Sequence, residues 1–497
     1  MQDLLIQQGM DHASPEAIEA VQNFSATFDD PAIRKRTVEH SARVAGYVNG
    51  FAGKQVDDLV YDVAIVHDLV DRMESHPNQI IRESAKNSLS NYMETRSDYH
   101  GMYVCCLLGG LSIVEATAEN YRHGPAIDLL EGASTWSSGD FEDGFIPASY
   151  WEIPSPMPDI ESMADLGEEV NLETLLVHGS EMIDKLNIPP VNEMAQFKDA
   201  IEGLSFSAPF FEIVGYDGIA MAIRDPALQT RFRKLGKTAQ LDQAKRLHSD
   251  ARKMSVDQMF EVMIGSGKYD IDNVVEQSLL DIGDFRFTDQ ANRCAEGKFR
   301  IKSIGSLAAK IDRYDGEDPM DTFAATIIED DIVASSEAFA SMAIKMKLLE
   351  SRGVVKLLPA HSKKKAIYAQ GDEQYLQQVR KALIEAGLDP DEYLDAVPKD
   401  PDAYQVAKIT FIIMHDGVET PSEVQFVTKE IRHEARLGRL AHGAAYKSGS
   451  KYVNIAALNR IYDRKSRMTN DPQSPDYLRV NGQSLERGKS LMHSIRS

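Results

Sequence analysis

The sequence predicts two folds in one chain, an all-α N-terminal half followed by an α+β domain built on a mixed sheet. Three observations predict this. From Ser14 to about Tyr121, apolar residues recur at three- and four-residue spacing with few turn signals, the pattern of amphipathic helices. From Ala403 to Glu430, in AYQVAKITFIIMHDGVETPSEVQFVTKE, apolar and polar residues alternate on either side of a polar turn, the pattern of two strands. Upstream of that pair, helical stretches alternate with other extended segments, for three or four strands in all.

At 497 residues the chain exceeds one compact core and predicts about three or four units. With 43% hydrophobic and 26% charged residues it has the composition of an ordinary folded protein. Lys and Arg total 54 against 77 Asp and Glu, a formal charge of −23, which argues against broad adhesion to nucleic acid or an anionic membrane. The adjacent Cys105 and Cys106 and the distant Cys294 have no metal-type spacing and suit a reducing compartment, so a cytoplasmic setting is expected. The N-terminal MQDLLIQQGMDHAS lacks a basic stretch followed by an apolar core, and no membrane segment is expected. Oligomeric state is left open.

In chain order, the first chemistry falls on the N-terminal helices. His40 opens HSARVAGYV, and VYDVAIVHDLVDRM carries His67, Asp68 and Asp71. His67 and Asp71 lie one helical turn apart on one face with Asp68 adjacent, so imidazole and carboxylates can converge with His40 from another helix. Such a mixed nitrogen and oxygen set suits a divalent transition ion such as Mn²⁺, whereas the bland alternative is a satisfied core histidine. From Ser134 to Gly167, Gly, Pro, Ser and aromatics replace periodicity, which predicts a long loop or insertion. Helical pattern resumes in VNLETLLVHGSEMIDKLNIPP, where Glu181 and Asp184 are three apart and share a face, so either could complete a metal site. It continues to about Gly283.

At GKFRIKSIGSLAAKI, Arg300 and Lys302 alternate on an extended segment, and Lys302, Ser306 and Lys310 recur every four residues. That spacing predicts cations and a hydroxyl in line at a helix start, where free N–H groups also favour a polyphosphate. PMDTFAATIIEDDI predicts a strand with Asp321 at its beginning, and Asp321 with Glu423 could hold Mg²⁺, which prefers one or two carboxylates plus phosphate oxygens. A helix between Asp372 and Gly387 and the turn-rich EYLDAVPKDPDAYQ lead back to the strand pair. In its second strand Glu423 and Gln425 share one surface; in its first, Tyr404, Val406 and Lys408 share one.

RIKS, the aspartate strand, the PK loop ending in YQ, and EVQ followed by TKE, G and AH occur in the order found in RelA/SpoT homologues. The chain resembles that family most closely over residues 296–450. Its synthetase motif R-x-K-x-x-x-S-x-x-x-K is matched by Arg300, Lys302, Ser306 and Lys310; EVQIRT is similar to EVQFVT, with Glu423 and Gln425; G-x-x-x-H is matched by Gly438 and His442. Tyr404 falls at the guanine-stacking position. In the N-terminal half, His40 and the His67–Asp68 pair look like the family's hydrolase ligands, Glu181 falls where it supplies a final aspartate, and Asp184 competes for that role.

The resemblance implies an HD-type helical hydrolase domain over 1–190 with the insertion at about 134–167, a helical connection over 191–284, a nucleotidyltransferase-like synthetase domain over 285–450, and a tail over 451–497. It implies (p)ppGpp metabolism: transfer of pyrophosphate from ATP to the 3′-hydroxyl of GDP or GTP. Arg300, Lys302, Ser306, Lys310, Tyr404, Lys408 and His442 would bind nucleotide. Asp321, Glu423 and Gln425 would serve catalysis, with Mg²⁺ on the two carboxylates. It also implies a Mn²⁺ site at His40, His67, Asp68 and Glu181, with Asp71 beside it, for 3′-pyrophosphate removal. Departures leave three alternatives open: a synthetase with a different acceptor such as an adenine nucleotide, a hydrolase alone, or an inactive nucleotide sensor. The hydrolytic ED pair reads Asp71–Arg72, two family arginines are Thr326 and Val427, and a histidine is Lys408.

Overall fold

The computed structural model describes residues 2–52, 57–122, 166, 170–189, 192–213, 217–253, 262, 268–270, 282–288, 294–358, 365–399, 404–432 and 482–496. The insertion, apart from residue 166, together with Gly438 and His442, lies outside them. The chain divides into two compact units, one of Met1–Ala227 with Val453–Ser497 and one of Leu228–Tyr452.

The first unit is helical: α1 (Gln2–His12), α2 (Pro15–Ser25), α3 (Pro31–Ala52), α4 (Asp58–Ser75), α5 (Gln79–Glu94), α6 (Asp98–Arg122), α7 (Leu172–Asn187), α8 (Glu193–Glu202), a π-helical turn at Gly203–Ser207, and α9 (Ala208–Ile213). Start signals are where the sequence places them. The Ser14 hydroxyl accepts from the Ala17 amide at 3.2 Å with Pro15 following, and Asp57 accepts from the Leu59 amide at 2.9 Å. α4 sits at the centre, with Val60, Val63, Ala64, Val66, Leu69 and Val70 buried in one continuous core. α1 and α3 cross at glycines: a Cβ at Gly46 would stand 2.2 Å from the Leu5 carbonyl oxygen. Within α6, His100–Ala118 has the length and apolarity of a membrane span, yet most of it is buried inside the protein and forms core.

Helix α10 (Asp217–Lys234) crosses the division, and α11 (Thr238–Lys253) opens the second unit. Then come β1 (Lys268–Asp270), β2 (Ile282–Thr288), β3 (Cys294–Ile301), α12 (Ile304–Arg313), β4 (Phe323–Glu329), α13 (Ile332–Ser351), β5 (Val355–Leu357), β6 (Ile367–Gly371), α14 (Glu373–Glu385), α15 (Pro390–Tyr393), β7 (Leu394–Pro398), β8 (Val406–His415) and β9 (Val418–Thr428). The strands form one mixed sheet in the order β1-β2-β3-β4-β9-β8-β6-β7, with β5 beside β8. β4 with β9 and β6 with β7 run parallel, and the other pairs run antiparallel. The sheet therefore has nine described strands where three or four were expected, and β1 and β2 occupy part of the stretch expected to be helical up to about Gly283.

One face of this sheet is apolar. Phe299, Phe323, Ala325, Ile327, Val424, Phe426, Ala407, Ile409 and Phe411 pack with Phe339, Ala343 and Met346 of α13 and Val379 and Leu383 of α14. The hairpin between β8 and β9 turns on Asp416 (φ 48°) and Gly417 (φ 78°), the left-handed pair that a two-residue turn needs. Last in the chain, α16 (Gly482–Arg496) belongs to the first unit, where Leu491, Met492 and Ile495 join its core. The end of the segment expected as a tail is thus a core helix. It lies close against α6, since a Cβ at Gly488 would be 2.8 Å from Cys106 Cα.

Candidate functional site

In the first unit, α3 presents His40, α4 presents His67 and Asp68, and α7 presents Glu181. One ligand atom from each of these four lies within 4.8 Å of the others. His40 Nε2 stands 3.6 Å from Asp68 Oδ2, and His67 Nε2 stands 3.6 Å from Asp68 Oδ1. Both rings are oriented from behind. His40 Nδ1 donates to Asp184 Oδ2 at 2.7 Å, and His67 Nδ1 donates to the Ala64 carbonyl at 2.8 Å. Because a carboxylate and a carbonyl only accept, each Nδ1 carries the hydrogen and each Nε2 is the ring nitrogen turned inward.

The pairing of carboxylate with histidine resolves the competition between Glu181 and Asp184. Glu181 faces the cluster, whereas Asp184, one turn on, stands behind His40. Arg43 holds Asp184 in turn, through Nε at 2.7 Å and a terminal nitrogen at 3.1 Å. Arg43 sits one turn after His40 on α3, so a single helix supplies both the candidate ligand and the anchor of its orienting group.

Charge follows geometry. Burial lowers His40, but Asp68 and Asp184 outweigh it and raise the ring above its usual range. Burial raises Asp68, and the two histidines more than offset it, holding the carboxyl low. Glu181 behaves alike: burial opposes ionisation, while Lys185, which pairs with it, and His67 keep it ionised. Asp71 is different. Part of it faces solvent, yet desolvation of its carboxyl and the nearby Glu181 and Asp68 push it up to about 6. Glu115 of α6 is also raised, by burial and then by Glu181 and Asp71, so α6 contributes a fourth acidic group. Sequence reasoning missed Glu115, Lys185 and Arg43. Arg43 and Lys185 carried a local signal, a three-residue spacing from His40 and a four-residue spacing from Glu181.

The donor set fits a divalent ion. His67 is 2% exposed and its Nε2 has no hydrogen-bond partner among the described residues, an orphaned ring nitrogen directed at two carboxylates and a second imidazole. Asp184 supplies the outer hydrogen bond that histidine ligands of metals usually have.

The second unit gathers its polar residues on the sheet face opposite the core. Cross-strand register puts Arg300, Ala324, Glu423 and Thr410 in one row, and Lys298, Thr326, Gln425, Lys408 and Tyr368 in the next. Lys408 Nζ bonds Glu423 Oε2 at 2.8 Å, and Gln425 Nε2 bonds Glu423 Oε1 at 2.6 Å. The cation of the first strand and the carboxylate and amide of the second therefore share one surface. Val427 continues the Glu423–Gln425 row as a side chain 1% exposed.

Asp321 precedes β4 by two residues. Its Oδ2 takes Lys310 Nζ at 2.6 Å and also pairs with Lys302. Lys302 is not on the helix, as its spacing had suggested: α12 starts at Ile304 with Ser303 as N-cap, and Lys302 precedes the cap. Lys302 and Lys310 converge all the same, through the shared carboxylate. Ser306 turns to Ser303, whose hydroxyl donates to it at 3.0 Å. Burial pushes Lys302 down to about 7 against the pull of Asp321, with Arg300 and Lys310 adding to the descent. For Asp321, burial is outweighed by Lys302 and Lys310, which hold it well below the carboxylate range. Tyr404, just before β8, is raised by burial and feels Arg432, Glu423 and Arg300, so it belongs to the same surface.

No family model matches this chain, and no curated protein matches it significantly.

Proposed function

We propose that this chain turns over (p)ppGpp, with an ATP:GDP/GTP 3′-pyrophosphotransferase in the second unit and a metal-dependent 3′-pyrophosphohydrolase in the first. On this reading the units correspond to an HD-type domain and a nucleotidyltransferase-like domain. One observation carries the proposal: residues far apart in sequence meet as a Lys302–Lys310–Asp321 cluster at the entry to β4 and as a Lys408–Glu423–Gln425 cluster on the sheet, where Arg300 stands in the register row of Glu423.

Transfer of a phosphoryl-type group needs little covalent work from protein, so position and charge carry the rate. Arg300, Lys302 and Lys310 would neutralise the ATP phosphates, and Tyr404 would stack on the acceptor base. Glu423, held between Lys408 and Gln425, would take the proton from the 3′-hydroxyl. Asp321 and Glu423 would hold Mg²⁺, whose chemistry when bound is to neutralise charge on the transferring phosphates. In the first unit His40, His67, Asp68 and Glu181 would hold Mn²⁺, which supplies Lewis acidity at a phosphate. Asp71, pushed up to about 6, can accept a proton close to neutral pH.

A second reading has a specific observation behind it. Val427, buried in line with Glu423 and Gln425, puts an aliphatic side chain where a polyanion site gains from a cation. That favours a hydrolase whose second unit binds nucleotide without transferring. Two variants separate the readings. Under the proposal Glu423→Ala abolishes (p)ppGpp formation and leaves Mn²⁺-dependent ppGpp decay intact, and Asp68→Ala does the reverse. Wild-type decay without any formation would establish the second reading instead.

A further inference from the structure

Glu181 already holds a cation that the chain itself supplies. Lys185 lies one turn further along α7, and its ammonium pairs with Glu181 Oε1. The two partners differ in exposure: the side chain of Glu181 is 3% exposed and that of Lys185 is 30% exposed, so the ammonium stands where the cluster reaches solvent. Its charge also acts on Asp71 of α4 and Glu115 of α6, favouring their ionised forms against burial. Arg43 is closed to a solute, being 5% exposed and bonded twice to Asp184, whereas Lys185 is not closed. The same Glu181 offers a ligand atom to the set formed with His40, His67 and Asp68. One carboxylate is therefore claimed both by a lysine at the mouth of the cluster and by the candidate metal centre behind it.

We propose that Lys185 is the phosphate-binding group of the first unit: its ammonium neutralises Glu181 in the metal-free protein and bonds a phosphate oxygen in the metal-loaded one. The inference rests on the metal reading of the first unit and is independent of the nucleotide reading of the second. A carboxylate that shares its charge with a divalent ion holds an ammonium less firmly, and two cations on one carboxylate repel each other. An anion that touches both removes the repulsion, and phosphate carries an oxygen for each. Lysine suits the exchange, since a compact charge with three donors on a flexible four-carbon stem moves from one acceptor to another without moving the backbone.

The test is calorimetric titration of the full chain with Mn²⁺, then of the Mn²⁺-loaded chain with inorganic phosphate, for wild type, Lys185→Gln and Arg72→Gln. Lys185→Gln keeps a hydrogen-bond donor for Glu181 and removes the charge. It should bind Mn²⁺ at least as tightly as wild type, because a competing cation is gone, and phosphate about tenfold or more weakly, the size of one hydrogen bond to a charged group. Arg72→Gln removes an exposed charge that also acts on Asp68, and should leave phosphate binding nearly unchanged. A second measurement needs no variant to fold: amine-reactive labelling of wild type, read by peptide mass spectrometry, should modify Lys185 faster with Mn²⁺ than with a chelator, and phosphate should restore protection. Wild type that takes up no Mn²⁺ overturns the metal reading and the inference with it. Mn²⁺ uptake with phosphate binding equal in wild type and Lys185→Gln, or with Lys185 labelling that Mn²⁺ and phosphate leave unchanged, overturns the phosphate role alone. Equal weakening in Lys185→Gln and Arg72→Gln reduces the effect to net charge and also overturns it, as does weaker Mn²⁺ binding by Lys185→Gln, which would make the ammonium a support for Glu181.

Discussion

Asp184→Asn keeps the shape of a side chain 2% exposed and removes its charge, which separates its two duties. The first is to fix His40, through the 2.7 Å bond to Nδ1. Loss of an orienting group behind a histidine ligand typically weakens metal binding about 10–100-fold, or about 1.4–2.8 kcal/mol. The second is to neutralise Arg43, which is 5% exposed and bonded to Asp184 at 2.7 and 3.1 Å. Breaking a buried pair from one side costs about 3–5 kcal/mol, and an amide that still accepts one of those bonds reduces this to about 2–3 kcal/mol. At about 2–4 °C per kcal/mol for a unit of this size, the metal-free protein should melt about 4–12 °C lower. Charge loss also changes the acid limb. Asp184 is depressed in the folded state, after burial is outweighed by His40 and Arg43. It therefore contributes stability that is present above its unfolded pKa and lost as pH falls through its folded value. The variant should lack that loss. Mn²⁺ titration calorimetry well below the melting transition reads the first duty and thermal unfolding reads the second. Adding Arg43→Met should restore stability without restoring Mn²⁺ affinity. Mn²⁺ affinity equal to wild type in Asp184→Asn would refute the orienting role.

Other perturbations follow from the same geometry. Asp71, raised from 3.8 to about 6, disfavours the folded state by a cost that appears above pH 3.8 and is full above about 6, so Asp71→Asn with a chelator should match wild type near pH 4. At pH 8 it should be more stable, by at most about 1 kcal/mol after solvent screening, and a variant less stable at pH 8 would contradict the assignment. Lys408→Met leaves Glu423, 6% exposed, with Gln425 alone, which should cost about 2 kcal/mol in denaturant titration; nucleotide transfer should fall at least about 100-fold. Gly46→Ala puts a methyl group 2.2 Å from the Leu5 carbonyl, so α1 must move, and unfolding free energy should drop by about 1–3 kcal/mol. Mn²⁺ at about 100 times its dissociation constant should stabilise the first unit by about 2.7 kcal/mol, an effect that Asp68→Ala should abolish.

The helical half and the β8–β9 pair were legible because burial imposes a period on them. α2 reads as helix because Ala17, Ala20, Val21 and Phe24 face the core at three- and four-residue spacing, and the hairpin reads as strands because only one of its faces is apolar. β1, β5 and β6 were missed for a physical reason. They are three to five residues long, too short to show a period, and β5 and β6 pair with β8, distant in sequence, as with Tyr368 and Lys408. The convergence of His40, His67, Asp68 and Glu181 was legible as far as residue type and helical spacing go. What spacing could not decide was whether Glu181 or Asp184 faces inward, because both lie on one side of α7 and a rotation of a fraction of a turn exchanges them. Lys302 shows the opposite failure: four-residue spacing suggested a helical line, yet the cap at Ser303 excludes Lys302 from the helix and tertiary contact with Asp321 restores the convergence. Gly438 and His442 lie outside the described residues.

The central claim, that this chain makes a 3′-pyrophosphorylated guanine nucleotide, is tested most directly by mass-spectrometric identification of the product formed from ATP, GDP and Mg²⁺ by the full chain. The account predicts guanosine carrying a diphosphate on both the 5′ and 3′ positions, with AMP released in equal amount, and neither with Glu423→Ala. AMP without the 3′-modified guanosine, or no product from wild type under conditions where GDP and ATP both bind, would contradict it.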